Sequence, residues 1–368
     1  MDEIISVAPP PKLTNINVYL TWQCNFRCIH CWVEAGDEKG SQLDINRFFR
    51  FLDEAIPLGL STVRMTGGEP LIMKKEVLRI LDFGKQHGLR MEMETNGFLL
   101  NDELISKFKE AQIHLSISLN GHHEDLHDSF TKTPGSFQRV LQNIRKCVAS
   151  DLDVEIITCT GRYNHTTFPE TLIFLDSLGA KRIKINPVVD CGRADGTTGL
   201  VYDDQELIAL YKDIQTQRRR LKTPILLMMP HCMEKFLTIS QGYAGRCGGL
   251  NLLSYLPDNH IGLCGYAGIN EDIIVDRYEE GSHVSTIWKN NPKILDMRKS
   301  FENRSGVCRI CIHGSSCNSV CKAESVKEYH RWDAPYPFCQ RLYDSNQFPE
   351  SRLIKGREKE GAYCYDPR

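Results

Sequence analysis

The chain has 368 residues, 41% of them hydrophobic and 25% charged, with a formal net charge of −2. At about 150 residues per domain this length suggests two to three domains, and the near-neutral charge gives no electrostatic reason to expect nucleic acid or an anionic membrane as a partner. No apolar run reaches the ~18 residues that span a bilayer, and the acidic start Met1-Asp2-Glu3-Ile4-Ile5-Ser6 lacks the apolar core of a signal peptide, so a cytoplasmic protein is expected.

From residue 14 to about 220, short β-branched or alternating apolar runs take turns with stretches of helical period. Strands are expected at 17–21, 62–65, 90–94, 114–118, 154–158 and 182–189. Between them, Asp44 can cap a helix over 45–56, where Phe48, Phe49, Leu52 and Ala55 share a face. Val77, Leu78, Leu81 and Phe83 mark the next helix, which ends before Gly88. Asn101 can cap a third, Ser136 precedes a fourth, and Pro169 sits at the first turn of a fifth. Asp203 and Asp204 open a sixth, 205–217. Six βα units in series imply a parallel sheet, either doubly wound or curled into part of a barrel, with the chemistry at the C-terminal strand ends.

Beyond about residue 224 the pattern changes. Runs at 251–255 and 261–263 flank Pro257-Asp258-Asn259-His260, a hairpin turn in which Asn259 can take positive φ. The remainder is rich in loops and cysteines, so metal is expected to contribute to its folding. The expected division is 1–225, 226–345 and a polar tail at 346–368.

Fifteen cysteines are the abnormal number. In a long, non-secreted chain, clustered cysteines point to metal or redox chemistry rather than disulfides. The first strand runs into Cys24-Asn25-Phe26-Arg27-Cys28-Ile29-His30-Cys31, a C-x3-C-x2-C spacing. Three thiolates on one loop can hold three corners of a [4Fe–4S] cluster and leave one iron open; the alternative is a zinc loop, although structural zinc prefers paired halves with four protein ligands.

This loop resembles the signature of the radical S-adenosylmethionine superfamily, with His30 at the position usually aromatic. Companion motifs follow in order. Thr66-Gly67-Gly68-Glu69-Pro70 resembles the family loop that holds the methionine amino group, and Thr95-Asn96-Gly97 and Ser116-Ile117-Ser118-Leu119-Asn120-Gly121 resemble its ribose and carboxylate loops. Many members carry Asp where Asn120 stands. The resemblance implies a partial (β/α)6 TIM-like barrel that binds S-adenosylmethionine through Gly67, Gly68, Glu69, Pro70, Thr95, Asn96, Ser118 and Asn120, with Cys24, Cys28 and Cys31 on the cluster.

The later cysteines, Cys247, Cys264, Cys308, Cys311, Cys317, Cys321 and Cys339, have a spacing similar to the SPASM extension, a small cysteine-rich domain with two auxiliary [4Fe–4S] clusters. By resemblance, Cys308, Cys311, Cys317 and Cys339 would hold the outer cluster. Cys247, Cys264 and Cys321 would hold the inner one, with Cys232 as a candidate fourth ligand. Two folding zinc sites are the alternative. Cys191, after the sixth strand, can stand near the active-site mouth and give a hydrogen atom to a substrate radical; as a free thiol it can equally be a small apolar filler. Cys147 and Cys159 are expected to be packing, the histidines at 122, 123 and 127 belong to a polar loop, and Arg218-Arg219-Arg220 end a solvated helix.

The family resemblance implies reductive cleavage of S-adenosylmethionine by an electron from flavodoxin or ferredoxin, and hydrogen abstraction by the 5′-deoxyadenosyl radical. The expected substrate is a ribosomal peptide precursor, with a separate peptide-recognition protein as partner because only 23 residues precede Cys24. The alternative is a sugar, nucleotide or tetrapyrrole intermediate, the Gly192-Arg193-Ala194 loop being reminiscent of tetrapyrrole-modifying relatives. Sulfatase-maturing relatives place a catalytic Asp where this chain has Gly265.

Overall fold

A computed structural model describes residues 10–36, 40, 42–196, 198–233 and 247–361. Seven strands, β1 Asn15–Tyr19, β2 Thr62–Thr66, β3 Arg90–Thr95, β4 His114–Ser118, β5 Asp153–Thr160, β6 Arg182–Pro187 and β7 Ile225–Leu227, lie side by side in chain order. All six pairings are parallel. A doubly wound sheet would reverse its strand order at a switch point. From β1 to β7 this one never does, so of the two expected arrangements the partial barrel is the one formed.

The C-terminal part continues the same sheet. β8 Leu252–Tyr255 pairs in parallel with β1, and β9 His260–Gly262 and β10 Ile274–Arg277 follow antiparallel, giving ten strands in one sheet. Asn259 takes the expected left-handed turn, φ 69°. β7 and β10 were not expected, being only three and four residues long.

The helices cover the outer face. Asp44 accepts from Asn46 and Arg47 N–H, both at 3.1 Å, to start α1, Ile45–Ala55. α2, Lys74–His87, stops at Gly88, and α3, Asp102–Glu110, begins where Asn101 caps Leu104 N–H. α4, Glu124–Thr131, was expected to be loop; its Leu126-His127…Phe130 spacing turns one face inward. α5, Ser136–Ala149, starts at Ser136 itself, with Gly135 as the cap. α6, Phe168–Asp176, has Pro169 in its first turn, and α7, Asp204–Gln217, opens with an Asp203/Glu206 capping box.

Strand alternation sorts the two faces of the sheet. Val63, Met65, Met93, Leu115, Ile156, Ile183 and Ile185 are fully buried. The residues alternating with them inside the barrel form an ionic ladder: Arg64 to Glu92 at 2.6 Å, Lys184 to Glu94 at 3.1 Å and Arg182 to Glu155 at 3.3 Å. Burial alone would raise the Glu94 carboxyl, but Lys184 and Arg64 outweigh it and hold it at about 2. Paired charges are how a barrel floor can be polar without a large desolvation cost.

An aromatic cluster joins the two halves. Tyr255 of β8 meets Phe48 and Phe51 of α1 at 5.1 and 5.0 Å, and Tyr278 meets Phe51 at 5.2 Å. Each such pair adds roughly 0.5–1.5 kcal/mol beyond area burial. Residues 346–361 differ from the expected polar tail. Phe348 is buried, Ile354 N–H donates to Ile310 O at 2.8 Å, and Leu353 bridges Cys311, so this stretch is laid against the outer cysteine loop by backbone pairing that composition does not reveal. Residues 362–368 of that expected tail lie outside the described residues. Among the described residues no helix is long and apolar enough to cross a membrane.

Candidate active site

Cys24, Cys28 and Cys31 leave β1 and face a cavity of about 840 Å³ at the C-terminal ends of the strands. Their loop is stapled to α4: Arg27 and Ile29 N–H donate to Thr131 and Phe130 carbonyls, each at 3.0 Å. His30 stacks on Phe130 at 4.2 Å, and Phe130 on Tyr163 at 4.5 Å, so the imidazole does the packing of an aromatic ring there. From the far side Arg193 clamps the same loop. Its guanidinium donates to Cys28 O at 2.8 Å and Ala35 O at 3.0 Å, and its backbone N–H to Cys31 O at 3.1 Å. Gly192 makes that approach possible, because at φ 59° a Cβ would stand 2.5 Å from Cys31 O and 2.4 Å from Trp32 O.

Burial, with Glu69 behind it, pushes the Cys24 thiol up to about 12, and burial followed by its two neighbouring thiols raises Cys28 further. Such thiols ionise readily only when a metal takes the charge. N–H donors are already aimed at sulfur: Phe26 N–H to Cys24 at 3.4 Å and Ala35 N–H to Cys31 at 3.3 Å. Three thiols facing one cavity, with N–H donors behind them, fit a [4Fe–4S] cluster held at three corners. Among the described residues no three His, Cys, Asp or Glu side chains converge as a single metal ion would require.

Thr66, Gly67, Gly68, Thr95, Asn96, Ser118 and Asn120 line the same cavity. Gly68 N–H donates to Thr21 O at 2.7 Å, and a Cβ on Gly68 would lie 2.0 Å from Gln23 O, so the β2 loop is pressed directly onto the cysteine loop. Glu69 and Pro70 do not reach the cavity. Glu69 is fully buried beneath it and accepts from Leu71 N–H, Thr95 O–H and Asn96 N–H at 3.0, 2.7 and 2.8 Å, tying the β2 loop to the β3 loop. Burial outweighs those donors and brings its carboxyl up to about 7. Glu69 is a positioning residue, with Pro70 starting the short turn behind it. Asn120 accepts from Cys159 N–H at 2.8 Å and donates its own N–H to His127 Nδ1 at 3.0 Å. His127 is therefore a second support of the β4 loop, buried and held down at about 4 by that burial.

The chain turns at Val189–Cys191 and Gly192 then dives toward the cysteine loop, which leaves the Cys191 thiol buried and pushed up to about 11 by that burial, within electrostatic reach of Lys327, Glu324 and Cys31, while Asp190 lines the cavity. A thiol that does line the cavity outside the ligand motifs is Cys159, at the end of β5. Sequence pattern ranks the two the other way, because both follow strands and only the turn decides which sulfur looks inward.

The later cysteines form two groups. Cys308, Cys311, Cys317 and Cys339 line one narrow space, and Cys232 joins them there, its sulfur 3.7 Å from that of Cys339. This corrects the expected place of Cys232 on the inner group. The short turn His231–Met233 after β7 is pinned by His231 to Ser316 at 3.2 Å and by Gln215 to Met233 O at 2.9 Å, which directs Cys232 outward. Cys321 belongs with Cys264 and Cys247: burial first, then the charges of Glu324 and those two thiols, push it well above an ordinary thiol. Lys322, buried and lowered to about 8 by that burial, lies near both Cys308 and Cys247 and donates to Trp332 O at 2.7 Å.

Cys321 also lines the large cavity. So do Tyr266, edge-on to Trp32 at 5.4 Å, and Glu324, raised by burial and hydrogen-bonded to Tyr336 and Tyr266. A Cβ on Gly265 would meet Tyr19 Oη at 2.1 Å, so no side chain fits where sulfatase-maturing relatives carry Asp. Tyr202, Asp203 and Asp204 of the α7 entrance, with Lys327, Glu328 and Arg341, complete the wall. Tyr266 and Glu324 had no motif to announce them, and the Gly192-Arg193-Ala194 loop did not announce the clamp that Arg193 makes; the offset of Glu324, three residues past Cys321 at the start of a helix, pointed inward.

Residues 18–175 match the Radical SAM superfamily. These residues form a Radical SAM domain. S-adenosylmethionine and a [4Fe–4S] cluster are the cofactors of that superfamily. The chain is 26% identical over 348 residues to the AdoMet-dependent heme synthase of Methanosarcina barkeri, covering 89% of this chain and 97% of the relative. It is 23% identical to mycofactocin maturase MftC of Mycobacterium ulcerans, covering 90% and 89%. Its fold is similar to that of Streptococcus suis SuiB bound to precursor peptide SuiA, with a TM-score of 0.70 at 16% identity over 90% of this chain and 76% of SuiB.

Proposed function

We propose that the enzyme modifies a peptide by radical chemistry, in the cavity that the first cysteine loop and Cys321 both line. The observation that carries this reading is that cavity: about 840 Å³, lined by Cys24, Cys28, Cys31 and Cys321 together. In this reading Cys24, Cys28 and Cys31 hold the first cluster, Cys308, Cys311, Cys317 and Cys339 the outer one, and Cys247, Cys264 and Cys321 the inner one. When bound and reduced by a flavodoxin or ferredoxin, the first cluster supplies the electron that cleaves S-adenosylmethionine to the 5′-deoxyadenosyl radical.

The chain's own residues bind, orient and exclude water. Gly67 and Gly68 expose backbone to the cofactor, Thr95, Asn96, Ser118 and Asn120 line its bed, and Arg193 keeps the cysteine loop in register. Residues 1–225 carry this bed, and 226–345 add Tyr266, Cys321, Glu324 and Tyr336 to its wall. A peptide in the cavity faces Tyr266, Tyr336 and Glu324, which offer hydrogen bonds beside apolar ring surface.

Mycofactocin maturase among the relatives, and SuiB with its precursor peptide among the structures of like fold, support a peptide over a small molecule. The heme synthase relative supports the second reading, a tetrapyrrole. The cavity wall does not discriminate by charge, because Glu94 is paired with Lys184, Asp203 with Arg162 and Asp204 with Arg341. A separate peptide-recognition protein completes the proposal. Co-expression with short peptides encoded beside its gene should yield a peptide altered in hydrogen mass or stereochemistry. Unchanged peptides together with a modified tetrapyrrole would overturn the peptide reading.

A further inference from the structure

The outer pocket holds one thiol more than a four-iron cluster takes. Cys232, Cys308, Cys311, Cys317 and Cys339 all line it, whereas the inner group has only Cys247, Cys264 and Cys321 among the described residues. The fifth sulfur is not at the rim. Cys232 is 5% exposed and Cys339 6%, and their sulfurs stand 3.7 Å apart, close enough to compete for one iron. Nor is its position an accident of one loop. His231 N–H reaches the Cys317 thiol, the His231 ring nitrogen meets Ser316 at 3.2 Å, and Gln215 of α7 holds the next carbonyl. The Cys232 turn is thus fastened both to the helix before it and to the loop that carries the other ligands. Two buried thiols 3.7 Å apart are equivalent donors by chemistry.

We propose that Cys232 and Cys339 are alternative ligands of one corner of the outer cluster, either thiolate being sufficient to hold it. This rests on the reading that the outer pocket holds a [4Fe–4S] cluster. The exchange is redox-neutral: the Cys232 thiol gives up its proton as its sulfur bonds iron, and the Cys339 sulfur takes a proton as its bond to iron breaks. The surplus keeps the cluster in place through loss or oxidation of either sulfur, and it leaves the inner group at three thiols among the described residues.

The test is iron and sulfide content of the anaerobically reconstituted full chain, with Mössbauer spectra to identify the cluster type. Wild type should carry about twelve irons, as three four-iron clusters do. Cys232→Ala and Cys339→Ala should each keep them, while the double variant should lose about a third, as should Cys308→Ala. Cys232→Ser and Cys339→Ser, singly and together, repeat the comparison with almost no change of volume, so that a fold lost to an alanine cavity does not decide the result. Loss of a third of the iron from Cys339→Ala and Cys339→Ser alone would overturn the proposal and leave the cluster reading intact. Zinc in place of those irons in the wild type would overturn both.

Discussion

Cysteine is used in two opposite ways in this chain. In the first loop three thiols line a cavity of about 840 Å³, between backbone carbonyls clamped by Arg193 and a β2 loop pressed to within 2.0 Å of where a Cβ would sit. In the outer pocket five thiols face one another in a narrow space walled by Val307, Tyr336 and Phe348. The first arrangement has a deficit of protein ligands and room for an exogenous one; the second has a surplus and no such room. A ligand deficit beside open space is an arrangement for chemistry, and a surplus within a wall is one for holding structure together. The difference lies in what surrounds the sulfurs, since burial raises Cys24 in the one group as it raises Cys311 in the other.

If that contrast is right, stability and catalysis should separate by region. Cys308→Ala should cost several kcal/mol in thermal denaturation, because metal binding is folding energy in a segment with little apolar core. Cys28→Ala should leave denaturation within about 1 kcal/mol, its loop being held by hydrogen bonds to α4 and Arg193. Equal losses at both positions would break the comparison. Gly192→Ala comes next. Its left-handed φ and the two carbonyls within 2.5 Å of a Cβ predict about 3 kcal/mol of destabilisation, read from the denaturant midpoint. Arg193→Lys keeps the charge and loses the fork on the Cys28 and Ala35 carbonyls. S-adenosylmethionine should then bind roughly tenfold more weakly, equivalent to one such hydrogen bond, by equilibrium dialysis of reconstituted protein.

A further effect is one of pH. His127 is held at about 4 in the fold by burial, against 6.5 unfolded. Between those values the unfolded chain binds more protons, so stability is full above pH 6.5 and is lost as pH falls toward 4. From pH 7 to pH 5 His127 should account for about 2 kcal/mol. His127→Gln, which can still accept from Asn120 N–H, should flatten that part of the profile in urea titrations at the two pH values. An unchanged slope would show that His127 does not support the β4 loop.

What was legible in sequence was local. β4 falls at its expected residues, and Asp44, Asn101 and Asp203 cap the helices they were expected to cap, because each signal lies within a few residues of its effect. β7, Ile225–Leu227, is too short to show a period, and α4 is written in His, Asp and Glu, whose helical face appears only through Phe130 and His127. The addition of β8 beside β1 is a long-range pairing that no local pattern encodes. The same divide runs through the site. The cavity-lining glycines, Thr95, Asn96, Ser118 and Asn120 sit in contiguous motifs. Glu69 has the right motif and a different task, beneath the bed. Cys159, Cys191 and Cys232 could not be sorted without knowing which way the chain turns after β5, β6 and β7.

The central claim is that the deficit of thiols at the first loop is where radical chemistry starts. Its most direct test is the yield of 5′-deoxyadenosine from S-adenosylmethionine by anaerobically reconstituted, dithionite-reduced protein, compared with the Cys24/Cys28/Cys31→Ala triple variant. The account predicts product from the wild type and none from the triple variant, which should still retain the irons of its C-terminal thiols. Undiminished 5′-deoxyadenosine from the triple variant would contradict it.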